Sequence, residues 1–87
     1  MSLRLNPSSG DVGVNQVITC KIPGYIQNED DYLWISWDEL TVKFMGSNEL
    51  RFTRPDGRPG QQVKVQVFSF RTPISDVAIY TYHDKGN

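Results

Sequence analysis

An 87-residue chain has room for one domain and not for two, and at this length a fold buries only about 60–65 % of the surface its unfolded chain exposes, so the core must be efficient. Nine basic against ten acidic residues leave a net charge of −1, which offers no general attraction for nucleic acid or an anionic membrane. No apolar run approaches the roughly 20 residues of a membrane helix, and Cys20 is the single cysteine, so an intrachain disulfide is excluded and the fold must stand on packing.

Taken in order, the chain shows short runs in which apolar and polar residues alternate, the period of strands and not of helices. Leu3 to Asn6 adds a short edge strand, and Pro7-Ser8-Ser9-Gly10 with Gly13 then breaks the chain. Gln16 to Ile22 reads as a strand with Ile18, Cys20 and Ile22 on one face; Pro23-Gly24 ends it. Asn28 to Asp31 reads as a loop. Tyr32 to Trp37 sets Leu33, Ile35 and Trp37 against Trp34 and Ser36, and Thr41 to Phe44 is a short third strand. Met45-Gly46-Ser47-Asn48 looks like a tight reversal into Glu49 to Thr53, where Leu50 and Phe52 share a side. Pro55-Asp56-Gly57-Arg58-Pro59-Gly60 is a loop that joins fixed φ at proline to permissive glycine. Gln62 to Phe70 alternates Val63, Val65 and Val67 with Lys64 and Gln66. Thr72-Pro73 turns the chain into a last strand, Val77 to Tyr82, whose phase is open because Val77, Ile79, Tyr80 and Tyr82 suit either face. Six or seven strands at this spacing predict an all-β sandwich or barrel.

The order of these segments resembles the IPT/TIG family, the immunoglobulin-like domains shared by plexins, certain transcription factors and many bacterial surface proteins. The opening Leu5-Asn6-Pro7-Ser8-Ser9-Gly10-Asp11-Val12-Gly13 is similar to that family's Pro-x-x-Gly-x-x-Gly entry. Val17 to Ile22 followed by Gly24-Tyr25, Asn48 to Phe52 followed by Pro55, Gly60 leading into Val63 to Val67, and the close Ser75 to Tyr82 resemble its later signatures. Three features depart from the pattern: Pro23 before Gly24, the acidic run Asn28-Glu29-Asp30-Asp31, and the bulky Trp34 and Trp37. The resemblance implies an all-β, immunoglobulin-like β-sandwich of about seven strands, a single domain over 3–83 with 84–87 as a C-terminal tail. It also implies a module for recognition, dimerisation or spacing, with no catalytic residues.

The residues themselves carry little chemistry. His83 is the single histidine, has no nucleophile motif to serve and reads as a solvated tail residue. One cysteine and one histidine cannot fill a zinc shell, and no phosphate-binding glycine loop is present. Glu29, Asp30 and Asp31, with Asp38 and Glu39 downstream, are the sharpest candidates for a hard cation, but the EF-hand spacing is absent and a solubilising loop is the ordinary reading. Arg51, Arg54 and Arg58 form a basic stretch interrupted by Asp56; surface charge on an edge strand explains it more simply than nucleic acid. Trp34 admits two readings: an exposed ring that stacks on a sugar or anchors a protein, or a core residue on an inverted strand.

The expectation is therefore a non-catalytic binding or spacer module. It needs no cofactor and no metal, and does not insert in a membrane. Its contact residues are expected at Tyr32, Trp34 and the loop Pro55 to Gly60, with Asp56 and Arg58 foremost. Its partner is a protein or carbohydrate, with nucleic acid not expected. The alternatives are a carbohydrate-binding appendage of a polysaccharide-degrading enzyme, and a dimerisation or DNA-contact module of a transcription factor. Met1-Ser2-Leu3 lacks the charged and hydrophobic regions of a signal peptide. A domain excised from a longer surface, secreted or virion protein, with neighbouring domains, is the setting expected.

Overall fold

The computed structural model describes residues 3–24, 32–38, 40–45, 49–69 and 77–85, with backbone alone at 32, 40 and 42–45. The acidic residues 29–31 and the turns expected at 46–48 and 72–73 lie outside the described residues. Every regular element described is a strand and none is a helix. The elements are β1 (Arg4–Asn6), β2 (Ser9–Asp11), β3 (Val17–Lys21), β4 (Tyr32–Trp37), β5 (Leu40–Met45), β6 (Glu49–Thr53), β7 (Gln62–Ser69) and β8 (Val77–His83). They form two sheets, ordered β1-β3-β6 and β2-β8-β7-β4-β5.

The alternation in the sequence sets the registers. Ile18 faces Phe52 and Cys20 faces Leu50 across β3 and β6, while Leu33 and Ile35 meet Ser69 and Val67 across β4 and β7. Side chains alternate sides along a strand, so Ile18, Cys20, Leu50, Leu33, Ile35, Trp37, Val63, Val65 and Val67 turn inward together and close one core between the sheets. Each such aliphatic side chain contributes about 1.5–3 kcal/mol when fully buried. The open phase of the last strand resolves with Tyr80 and Tyr82 in the core and Val77 and Ile79 outside.

The opening segment departs from its sequence reading. The stretch read as a break after Asn6 contains a second short strand. Pro7 has no N–H to continue the ladder, and after the cis Asn6–Pro7 bond the chain passes from one sheet to the other. Ser9–Asp11 then lies parallel to β8, with Ser9 opposite Thr81 and Asp11 opposite His83. Counting β1 and β2 as halves of one broken strand leaves seven, the number the patterning predicts. β4 and β5 are joined by a two-residue turn, since Trp37 pairs with Leu40. Asp38 takes φ +53 there, the left-handed conformation that such hairpin turns demand and aspartate tolerates. At the other tight turn, Gln61 N–H donates to the Arg58 carbonyl at 3.0 Å, with Pro59 and then Gly60 (φ +80) between. That is the order of a type II turn.

Candidate functional site

Two surfaces gather the residues singled out in the sequence: the corner beside the 54–61 loop, and the outer face of the five-stranded sheet.

The corner is built on Arg54. Its position continues the inward parity of Leu50 and Phe52, so its side chain enters the interior and is wholly buried. Nε donates to the Tyr80 hydroxyl at 2.7 Å, one terminal nitrogen to the Asp11 carbonyl at 2.7 Å, and the other to the Pro55 carbonyl at 3.3 Å. The guanidinium carbon stands 5.3 Å from the Tyr80 ring centre and 4.7 Å from that of Tyr82, within cation–π range. A buried cation is tolerated where its N–H groups are met in this way. Its carboxylate neighbour, Asp56, is 3.9 Å away and 60 % exposed, so solvent screens that pair and it adds little. The reading of Arg54 as surface charge is therefore corrected: it is a structural cation, while Arg51 and Arg58 are exposed.

Aromatic rings complete the corner. Trp37 meets Tyr80 at 4.9 Å and the edge of Phe52 at 5.5 Å, and Tyr80 meets Tyr82 edge-on at 5.1 Å. Trp37 Nε1–H donates to the Tyr82 hydroxyl at 3.3 Å, and that hydroxyl donates onward to the Pro55 carbonyl. The loop is fixed from outside as well. One Asp56 carboxylate oxygen accepts the N–H of Gly13 and of Gly57, both at 2.9 Å. These bonds, the Gly13 one foremost, hold the Asp56 carboxyl below its usual range, with Arg54 adding to the effect. Gln61 Oε1 accepts the Arg58 N–H at 2.9 Å. Gly57 passes so close to Tyr82 that a Cβ would sit 2.6 Å from the ring. A shallow open depression lies here, lined by Asp38, Asp56, Gly57, Arg58 and Gln61. Asp56 thus works as a clip between loops, and Arg58 is presented on a rigid turn.

The outer face of the five-stranded sheet is different in kind. Trp34 lies outside the core, 37 % exposed, as the alternation of β4 requires, and the core-filling alternative does not hold. Directly opposite it on β7 is Phe68, 48 % exposed. Val77 and Ile79 on β8 are exposed on the same side. Phe68, Val77 and Ile79 were not singled out in the sequence. The signal was available, because Phe68 shares the parity of Lys64 and Gln66. Tyr32 opens β4, but its side chain lies outside the described residues. Trp34 and the loop do not form one site. Trp37, the β4 residue next to the loop, is three residues on, about 10 Å along the strand and on the opposite face.

Chemistry is sparse at both surfaces. No three metal-ligating side chains gather among the described residues. Cys20 is buried, and burial pushes its thiol up to about 11, away from the thiolate a nucleophile requires. No family model matches the chain, and no curated protein or solved structure matches it either.

Proposed function

We propose that this chain is a non-catalytic, immunoglobulin-like binding module whose recognition surface is the outer face of the five-stranded sheet, centred on Trp34 and Phe68. The observation that carries the reading is the exposure of two large aromatic rings on directly opposed positions of neighbouring strands. Aromatic side chains are the usual anchors of interfaces, and a continuous apolar patch is a commoner mark of a contact surface than single scattered apolar residues. Val17 is such a scattered residue, alone among polar neighbours on the other sheet.

The immunoglobulin-like assignment is supported by the split first strand, by its second half lying parallel to the last strand, and by the order β8-β7-β4-β5 facing β3-β6. The IPT/TIG likeness rests on the order of motifs in the sequence. The same reading places the module in a larger surface, secreted or virion protein. DNA contact is not favoured, because burial of Arg54 removes the central cation of the basic stretch.

A photo-crosslinking residue at position 34 or 68, compared with position 17 or 58 in the producing cells, tests the surface. Crosslinks are expected from 34 and 68. Equal yield from 17 or 58, or loss of the folded state in Trp34→Ala, would remove the proposal.

A further inference from the structure

We propose that the Asp56–Gly57 bond is a site of spontaneous isoaspartate formation that the folded loop holds closed, so that this covalent change follows opening of the loop. The site stands apart from the recognition face.

Asp56 is the one aspartate that a glycine follows, and no asparagine precedes a glycine. A following residue without Cβ leaves its main-chain nitrogen open to the aspartate carboxyl, so this linkage closes a five-membered ring more readily than other aspartate linkages do. The Gly57 nitrogen attacks Asp56 Cγ, one carboxyl oxygen leaves as water, and a succinimide forms. Water then opens the ring at either carbonyl. Opening at the main-chain carbonyl leaves the chain running through Cβ and Cγ. The two steps together are an isomerisation, with one water released and one taken up.

The fold itself puts this pair together. A Cβ at position 57 would sit 2.6 Å from the Tyr82 ring and 2.7 Å from Gln61 Oε1, so packing admits only glycine there. Asp56 Oδ1 accepts the N–H of Gly57 and that of Gly13, 43 residues away, both at 2.9 Å. Asp56 is 60 % exposed, so water reaches the bond.

The same contacts hold the chemistry in check. The Gly57 nitrogen is engaged as a donor, with its proton directed at Oδ1 and not its electron pair at Cγ. Ring closure proceeds from a neutral carboxyl, and two N–H donors favour the anion. Closure also swings the carboxyl over the nitrogen, which takes the acceptor from Gly13 and moves Gly57 against Tyr82. The loop has little slack for that movement. The Gly60 N–H donates to the Tyr82 carbonyl, the Tyr82 N–H donates to the Gln61 carbonyl, and Gln61 Oε1 accepts the Arg58 N–H, each at 2.9 Å. In isoaspartate the main chain is one atom longer and the carboxylate one bond shorter. The bond to Gly13 is then not remade, and the loop stays unclipped.

The test incubates the intact chain at neutral pH, folded and in guanidinium chloride, and locates isoaspartate by electron-transfer mass spectrometry of the digest. The unfolded chain is expected to isomerise at position 56 before any other aspartate, and the folded chain at least about tenfold more slowly. Asp56→Asn repeats the comparison without a titrating carboxyl. Its amide oxygen accepts the same N–H groups, so its deamidation, which takes up water and releases ammonia, is expected to be suppressed by folding as well. Folded wild-type chain that reacts as fast as the unfolded chain or faster, or unfolded chain that reacts first elsewhere, overturns the proposal. Suppression that vanishes in folded Asp56→Asn also overturns it, because ionisation and not the closed loop then protects the bond. Where circular dichroism shows Asp56→Asn to be unfolded, hydrogen exchange of the wild-type Gly13 N–H takes its place: protection supports the closed loop, and exchange at the unfolded rate overturns it.

Discussion

The Nε of Arg54 donates to the hydroxyl of Tyr80 at 2.7 Å, which ties the end of β6 in one sheet to the middle of β8 in the other. The same guanidinium also holds the Asp11 carbonyl of β2. One side chain therefore joins three strands from both sheets.

Truncating Arg54 leaves the buried Tyr80 hydroxyl and the part-buried Asp11 carbonyl without that donor. Arg54→Ala is expected to lower the unfolding free energy by about 2–4 kcal/mol. Arg54→Lys recovers only part, because an ammonium lacks the fork that reaches three acceptors. Arg51→Ala, on the exposed side of β6, is expected to cost less than about 0.5 kcal/mol. Urea denaturation of the three variants decides the matter; equal midpoints for Arg54→Ala and Arg51→Ala would show that the network adds nothing.

Tyr82 bridges Trp37 and Pro55 through one hydroxyl. Tyr82→Phe keeps the ring packing and removes both bonds, with an expected loss of about 1–3 kcal/mol. Gly57→Ala attacks the same contact from the loop side, since the added methyl meets the Tyr82 ring at 2.6 Å and Gln61 Oε1 at 2.7 Å. Overpacking of this kind costs about 1–3 kcal/mol. The two effects share a neighbour, so the double variant is expected to cost less than the sum. Strict additivity in a double-mutant cycle would contradict the coupling.

Asp56 sets an acid limit on stability. Its carboxyl is held low by the Gly13 and Gly57 N–H groups and by Arg54. The folded pKa thus lies below the unfolded value of about 3.9. The contribution is fully present above that value and disappears as pH falls through the folded pKa. Asp56→Asn is expected to flatten the decline of the urea midpoint between about pH 5 and pH 2. An unchanged acid limb in the variant would show that the clip has no bearing on stability.

Cys20 lies sealed between β1 and β6, on β3, with its thiol pushed up to about 11. A disulfide reagent at neutral pH is expected to react with the unfolded chain and to leave the native one untouched over the same time. Rapid native labelling would mean that the three-stranded sheet opens far more often than its packing implies.

Much of this architecture was legible in the sequence because most strands bury one face. Wherever Val, Ile or Leu alternates with a charged residue, as in Val63 to Val67, the register follows; the side on which Trp34 lies stayed open between two readings, because a large aromatic suits a core as well as a surface. β2 was not legible. Ser9-Gly10-Asp11 carries no apolar alternation, and its strand character comes from pairing with β8. The phase of β8 was open because tyrosine suits either side; Arg54 and Trp37 decide it by giving Tyr80 and Tyr82 hydrogen-bond partners inside. Arg54 itself had a signal that residue type concealed: it stands two after Phe52 and four after Leu50, in the inward phase. The patch around Trp34 was half visible: the outward parity of Phe68 was readable, but its place opposite Trp34, and that of Val77 and Ile79 beside it, come from registers that no local pattern reveals.

The parallel course of β2 and β8 governs how the fold meets a pull. Ser8 accepts from Thr81, and His83 accepts from Val12, so bonds bracket the pair at both ends. Tension applied upstream of Ser9 and downstream of His83 slides these strands past each other in shear, and every rung takes the load at once. An antiparallel closing pair would peel open one rung at a time. The split of the first strand at Pro7 thereby puts a pair loaded in shear at the seam between β2 and β8.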